Sequence, residues 1–467
     1  MTWAPVFLTL ASYAAFLLLR HKAPLLHRLA LSSMAVLDGM LSDSAEDDKL
    51  AALEQATSSL VGALLKFLGL VVAGGTCIAT PCMFVDGLGL GLLATWQGIA
   101  AVSVGGTLAF MVPNVLPRQE RSRAATSDHS PLSQLLHKMV LDHPHVHAAL
   151  MRREIRAWKG RGGTPNPTFL LVTGLARAGT TSMLERLVAS GAFHSLNYAN
   201  MPLVLAPGTW RRVHNPASSP KKERSHGDGI MVGNDSAEAL EEVFFKTMAT
   251  EPYVQDAAVV AHRVDAACHE TYLDYQGIAL ATAPQPGAMY VAKNNNTLLR
   301  YPSLREHNRD FHAVVMFREP LTHAASLRAM HQKYCAMQQD DPFVKTYMDW
   351  LAHHEFGLGQ KPFKFTDQTP LPQGDRDTLD HWLDLWINHY EAALAMDRHH
   401  LHFIGYERYC AQPTEVLTGL GQEVGADVNW EAFEPYTKQR KVEGDVDPAK
   451  LEKARKLYDE MQSLQRG

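Results

Sequence analysis

Cysteine is scarce in this chain. Five occur in 467 residues, at Cys77, Cys82, Cys268, Cys335 and Cys410, and none forms a C-x-x-C pair. That spacing excludes a zinc ribbon and offers no disulfide framework, so free thiols in a reducing compartment are expected. An excess of basic charge is also missing: the formal net charge is -5, whereas a general nucleic-acid binder would be basic. The run His143-Pro-His145-Val-His147 is rich in imidazole, but no cysteine or acid accompanies it at metal-site spacing, so no metal is expected. A hydrophobic fraction of 46% against 20% charged residues excludes a disordered chain.

Charge is absent from residues 67–85 and again from 87–113, with Asp86 alone between them. A bilayer core takes about 20 apolar residues per helix, so the pair reads as a transmembrane hairpin turning at Asp86. Glycines such as Gly69, Gly74, Gly75, Gly105 and Gly106 would let its two helices approach closely. An earlier apolar segment, residues 4–19, is followed by Arg20, His21 and Lys22. A secretory signal carries its positive charge before the apolar run, so an uncleaved anchor or a membrane-surface helix is expected here. Arg20, Lys22 and Arg28 follow this segment, and Arg118, Arg121 and Arg123 follow the hairpin. The positive-inside rule then makes the chain multi-pass and puts everything after residue 117 in the cytoplasm.

The expected plan is a membrane anchor of two or three transmembrane helices over 1–117, a helical connector over 118–166 and a soluble domain over 167–467. Within the connector, Leu132, Leu135, Leu136, Met139 and Val140 have helical spacing, Pro144 interrupts the pattern, and a further helix is expected over 148–158. The soluble part has short apolar runs at 168–173, 288–292, 311–317 and 400–404 with helix-like stretches between them. This predicts an α/β fold with a mostly parallel sheet flanked by helices. Ligands in such folds bind beyond the carboxyl ends of the strands.

At the end of the first such run stands Gly174-Leu-Ala-Arg177-Ala178-Gly179-Thr180-Thr181-Ser182. Strand, glycine loop and helix start together make an anion site of backbone N–H groups, to which the three hydroxyls add donors. The G-x-x-x-x-G spacing also opens a nucleoside-triphosphatase loop, but that loop continues with Lys. Here Thr180 occupies the lysine position and the cation is Arg177, inside the loop. The run 311–317 ends in Arg318 rather than in an Asp suited to magnesium. Triphosphate cleavage needs a metal to neutralise charge. Sulfuryl transfer places less negative charge on the transferred group, so side-chain cations suffice. Pro320 suits a helix opening, and Ser326 stands about two turns into that helix, eight residues after Arg318.

These two elements resemble the sulfotransferase family that uses 3′-phosphoadenosine 5′-phosphosulfate (PAPS). The family has a loop of the type (Lys or Arg)-Ser-Gly-Thr-Thr, matched by Arg177-Ala178-Gly179-Thr180-Thr181, and an Arg and a Ser eight residues apart, matched by Arg318 and Ser326. Ala178 departs from the usual Ser. The likeness runs over about residues 167–467. It implies a P-loop-like sulfotransferase fold, PAPS as co-substrate without a metal, the 5′-phosphosulfate on Arg177 to Ser182, and the 3′-phosphate on Arg318 and Ser326. It also implies that Lys293, 25 residues before Arg318, contacts the leaving group. The helix bearing Trp382 and Trp386, followed by a strand ending in Tyr406-Glu407, fits the family as well, although the two indoles read equally as core packing.

Sulfuryl transfer also needs a base for the acceptor hydroxyl. Cytosolic small-molecule members place a His just after the lysine. Here Asn294, Asn295 and Asn296 stand there, which points to the glycan- or protein-modifying or bacterial branches, where Glu is often the base. Glu242 is the expected base, at a helix start where Leu240, Val243 and Phe244 face the core, with His226 as the alternative. Two sequons, Asn234-Asp-Ser236 and Asn295-Asn-Thr297, fall in expected active-site loops, where a glycan would obstruct the site. The predicted activity is sulfuryl transfer from PAPS to a hydroxyl acceptor, a lipid, glycolipid or glycan at the membrane. A nucleotide-dependent kinase and a non-catalytic membrane scaffold with a degenerate nucleotide fold are the alternatives.

Overall fold

The computed structural model describes residues 4–22, 46–84, 90–111, 144–213, 239–372, 374–426 and 444–465, with a few positions between them. The chain forms two compact units, Met1–Met139 and Val140–Gly467.

The first unit contains helices α1 (Ala4–His21), α2 (Glu46–Phe84) and α3 (Trp96–Met111), the last preceded by a single 3-10 turn over Leu90–Ala94. Within α2, Glu54–Thr80 is the one helix among the described residues long and apolar enough to cross a membrane, and 11% of its most apolar stretch is buried. The transmembrane hairpin expected over 67–85 and 87–113 is therefore corrected to one long helix and one of 16 residues. Its tip at Asp86 lies outside the described residues. The glycines also act elsewhere than expected. A Cβ on Gly105 would lie 2.4 Å from the Thr9 carbonyl oxygen, and one on Gly106 would lie 3.2 Å from the Phe16 ring, so α3 closes on α1. Gly69, Gly74 and Gly75 face open space.

The second unit is built on five strands: β1 (Leu170–Thr173), β2 (Phe193–His194), β3 (Met289–Lys293), β4 (His312–Phe317) and β5 (Leu401–Gly405). They pair in the order β2-β3-β1-β4-β5, every pairing parallel. The expected mostly parallel sheet with helices on both faces is present. β1 and β4 are buried along their full length, as central parallel strands covered on both faces must be. Alternate residues serve opposite faces. Leu170, Val172, Val314 and Met316 join Met183, Leu184 and Leu187 of helix α5 (Thr180–Ala189). Leu171, Val315 and Phe317 join helices α7 (Ala266–Leu280) and α9 (Leu379–Leu394) on the other face, where Trp382 and Trp386 are core residues.

Helix α4 (Pro144–Lys159) belongs to this unit, not to a separate connector, and buries His147, Met151 and Ile155. Pro144 opens it rather than interrupting it, because a first-turn residue has no intrahelical partner for its N–H. His147 accepts the Leu205 N–H at Nε2 (3.1 Å), a structural use of an imidazole from the histidine-rich run. Helix α6 (Glu242–Met248) precedes α7 in sequence, α8 (Pro320–Asp340) follows β4, and α10 (Pro448–Ser463) packs on α9 through Ala454, Met461 and a Lys450–Asp384 ion pair of 2.8 Å.

His323 on α8 and His389 on α9 lie deep in the core. Burial pushes both imidazoles down to about 3, and for His323 it outweighs a bond to the Ala176 carbonyl that pulls the other way. The unfolded chain takes up these protons near pH 6.5 and the folded chain does not. The stability at stake is complete above about pH 6.5 and is lost as pH falls toward 3. These two histidines by themselves should lower the unfolding free energy of the chain in detergent by roughly 2–4 kcal/mol between pH 7 and pH 5. Urea unfolding at the two values measures it. His389→Phe, placed beside Phe363 and Phe365, should flatten the slope, and an unchanged slope would remove His389 from the account.

Candidate active site

The carboxyl ends of β1, β3, β4 and β5 lie side by side. Lys293 is in register with Val172, Val315 with Thr173, and Gly405 with Phe317. The loop that leaves β1 is shaped by two close approaches. Gly174 has φ 139°, and a Cβ there would lie 2.3 Å from the Met316 carbonyl oxygen. Gly179 has φ 96°, and its Cβ would lie 2.6 Å from the Tyr406 ring. Only glycine allows both the backbone conformation and the contact. Between them Arg177 is held at φ 72°, in the left-handed region, a strained state for a residue with a side chain. His323 fixes the loop from behind, its Nε2–H donating to the Ala176 carbonyl oxygen at 2.8 Å. Gly179 itself is the N-cap of α5 and has no side chain with which to cap the first-turn N–H groups.

The loop residues divide by role. Arg177 and Thr181 are half-buried, Thr180 is nearly sealed, and Ala178 is buried in the core. The Ser182 hydroxyl faces the Tyr409 hydroxyl at 3.1 Å, which turns it toward the packing side of α5.

Arg318 ends β4, and its guanidinium lies 4.8 Å from the centre of the Tyr406 ring. That ring also abuts Gly179, so it brings the loop and Arg318 together. Arg318 Nε is buried with no hydrogen-bond partner among the described residues. Ser326 is buried on α8, two turns beyond. The corner is tightly held. The Trp386 indole donates to the Arg318 carbonyl (3.2 Å), the Glu319 N–H donates to Glu407 (3.0 Å), and Glu319 caps α8 by accepting from the Leu321 and Thr322 N–H groups. Tyr406 and Glu407 thus shape the site through the loop and the corner.

Beyond Lys293 the three asparagines turn back on the sheet. The Asn294 N–H donates to the Val172 carbonyl at 2.9 Å. Asn294 Nδ2 donates to Glu242 Oε2 at 2.8 Å and to Glu241 Oε2 at 3.2 Å. Here the expectation for Glu242 is corrected. It is not at a cleft edge but 2% exposed, in a two-point ion pair with the fully buried Arg300 at 2.8 and 2.5 Å, and it also accepts from the Tyr253 hydroxyl. Burial opposes its ionisation, but the Arg300 charge and hydrogen bonds win and hold the carboxyl down to about 2. A sealed carboxylate with every strong acceptor site occupied makes a poor base. Neighbouring Glu241 accepts from the Tyr272 and Tyr290 hydroxyls, and burial pushes its carboxyl up. The alternative base, His226, lies outside the described residues.

A carboxylate that the sequence motifs do not mark sits at this strand end. Glu355 accepts from Asn295 Nδ2 at 2.7 Å. Burial would raise its carboxyl, but the charges of His353 and Lys293 and the Asn295 bond bring it below the usual value. Among the described residues no group of three or more His, Cys, Asp or Glu side chains is arranged to hold a metal ion.

Fold and site define a parallel α/β domain with a glycine-bounded loop at its strand ends and cations at the ends of the strands to either side. No known family profile matches the chain, and no curated protein matches it by sequence. Among solved structures the chain is similar to sulfotransferases, the family whose motifs its sequence resembles. Sulfotransferase STF1 from Mycobacterium tuberculosis shares 15% identity over 66% of this chain and 80% of its own, with a TM-score of 0.37. STF9 from Mycobacterium avium shares 12% over 72% and 79%, with a TM-score of 0.36. A sulfotransferase from Alicyclobacillus acidocaldarius shares 11% over 64% and 93%, with a TM-score of 0.29.

Proposed function

We propose that the chain is a sulfotransferase that moves a sulfuryl group from PAPS to a hydroxyl acceptor. One observation carries the reading: a phosphate loop whose cation is Arg177, with threonine in the lysine position, is joined through the Tyr406 ring to Arg318 at the end of β4. A donor with phosphate groups at both ends of one nucleoside matches two separated anion sites. The fit is supported by the two glycine positions that a Cβ would fill and by the unpartnered Arg318 Nε. The start of α5 and Arg177 would take the 5′-phosphosulfate. Arg318 and Ser326 would take the 3′-phosphate, and Lys293 would face the leaving oxygen. In the transfer, the acceptor oxygen bonds to sulfur as the sulfur–oxygen bond to the phosphate breaks, and the phosphate keeps the electron pair.

The acceptor in this reading is a hydroxyl at a membrane surface. The exposed side chains of Leu64, Leu65, Leu68 and Val72 on α2, and of Trp96 and Ile99 on α3, support it, since so much apolar surface calls for lipid or a partner. The basic residues that flank the apolar segments favour a cytoplasmic catalytic unit.

Calorimetry with 3′-phosphoadenosine 5′-phosphate (PAP) and with ATP, on the detergent-solubilised chain in EDTA, tests the donor. PAP should bind without metal. Arg318→Ala should bind it about 10–100-fold more weakly, from loss of charge-assisted bonds of roughly 1.5–3 kcal/mol. Absence of PAP binding, or a preference for ATP once magnesium is restored, would overturn the reading in favour of a kinase or a scaffold.

A further inference from the structure

The base is the part of the reaction that the loop motifs leave unassigned. Three carboxylates lie near the end of β3, and their surroundings separate them. Glu241 and Glu242 are 2% exposed and enclosed by Arg300, Tyr253, Tyr272, Tyr290 and Asn294. Glu355 is half-buried, and one oxygen is anchored by Asn295. Asn295 itself is fixed in the turn that begins with the Asn294–Val172 bond. Asn296 Nδ2 adds a second tie, at 3.4 Å, to the Ala352 carbonyl, and Ala352 holds a left-handed φ of 52°.

The segment carrying Glu355 is held from its other side by α8, the helix that carries Ser326. The Gly357 N–H donates to His331 Nδ1 at 3.2 Å, and the Leu358 N–H donates to Gln338 Oε1 at 2.6 Å. Glu355 is thus set between the β3 turn and the helix after Arg318, at the strand ends where this fold binds ligands. A base needs this kind of placement, with a rigid support and one oxygen anchored.

We infer that Glu355 is the general base of this active site, taking the proton of the acceptor hydroxyl, with Asn295 as the positioning residue that aims it. The inference rests on the sulfotransferase reading above. The proton passes from the acceptor oxygen to the Glu355 carboxylate as the acceptor oxygen bonds to sulfur. The PAP phosphate leaves with the electrons of the broken bond, and Lys293 faces the negative charge that develops there. Burial opposes ionisation of the Glu355 carboxyl, but Lys293 and the Asn295 hydrogen bond help to bring it below the usual value, so it is in the proton-accepting form at neutral pH.

The test uses Glu355→Gln in the full-length chain, which keeps the shape and an acceptor for Asn295. Two readouts are compared, PAP affinity by calorimetry and the slow transfer of sulfate from radiolabelled PAPS to water. Loss of a base should cut transfer about 10²–10⁴-fold. PAP affinity should hold or tighten a few-fold, because a negative charge near Lys293 has gone. The acid limb of the wild-type pH–rate profile should lie in the carboxylate range, below about pH 5, and vanish in the variant. Transfer retained by Glu355→Gln, or weakened PAP binding, would overturn the proposal, the latter by showing that the carboxylate only holds the site together. An acid limb near the histidine value of about 6.5 that survives the substitution would give the proton to a histidine. Failure of the wild type to bind PAP, or to transfer sulfate above background, would instead sink the sulfotransferase reading itself.

Discussion

Arg300→Ala is expected to destabilise the chain by about 3–5 kcal/mol, the usual cost of stranding one partner of a buried ion pair. Arg300 is fully buried, and its partners account for its guanidinium. Two N–H groups go to Glu242, Nε donates to His262 Nε2 at 3.1 Å, and the cation lies 3.9 Å from the centre of the Phe245 ring. Without it, Glu242 is an unpaired carboxylate beside a second buried carboxylate, Glu241. The apparent melting temperature should fall by roughly 5–15 °C. The sign of the pH dependence is specific. In the wild type the Glu242 carboxyl is held down to about 2, so its contribution is present above about pH 4.5 and is lost as pH falls toward 2. The gap between wild type and Arg300→Ala should therefore narrow over that window. The paired change Arg300→Met with Glu242→Leu should regain much of the loss, because an apolar pair of similar volume avoids desolvating two charges. A single-variant loss under about 1 kcal/mol would mean that water reaches the pair.

The same network explains what is legible in the sequence and what is not. The glycine loop after β1 is legible because its signal is local: Gly174, Arg177, Gly179 and Thr180 lie within one strand-loop-helix unit, and the missing lysine shows in the sequence alone. The strands are legible for the same reason, and each of the four expected runs falls within two residues of a strand in the structure. Glu242 is not. Helical periodicity shows that α6 turns Val243 and Phe244 inward, but not that an arginine 58 residues later waits there for the carboxylate. Glu355 leaves no local signal, since its partner Asn295 lies 60 residues away. In the sequence the three asparagines show only that a histidine is missing, yet each makes its own contact in the fold. Asn294 ties the turn to the Glu241 and Glu242 carboxylates, Asn295 holds Glu355, and Asn296 reaches the Ala352 carbonyl. The membrane glycines show the same limit. Small residues indicate close approach but not the partner, and for Gly105 and Gly106 the partner is α1.

Gly174→Ala is the second change with a large expected effect, because nothing around it can yield. The backbone there has φ 139°, a region essentially reserved for glycine, and a side chain costs of order 1–3 kcal/mol in strain. The added Cβ would also sit 2.3 Å from the carbonyl oxygen of Met316. That oxygen belongs to β4, which is paired with β1 on one side and β5 on the other, and it already accepts the Tyr390 hydroxyl at 2.9 Å. Moving it would break sheet and core together, so another 1–3 kcal/mol of overpacking is expected, as a rough figure. PAP affinity should fall by more than about 100-fold, since even a small displacement of Arg177 and the α5 start misplaces the donor. Gly191→Ala is the control: its φ of 76° is also left-handed, but the nearest atom to its Cβ is 3.9 Å away, so it should cost about 1 kcal/mol of backbone strain and leave PAP binding unchanged. Equal losses of affinity in the two variants would show that general destabilisation, not the shape of the loop, sets nucleotide binding. A loss confined to Gly174→Ala would tie binding to the contact between the phosphate loop and β4.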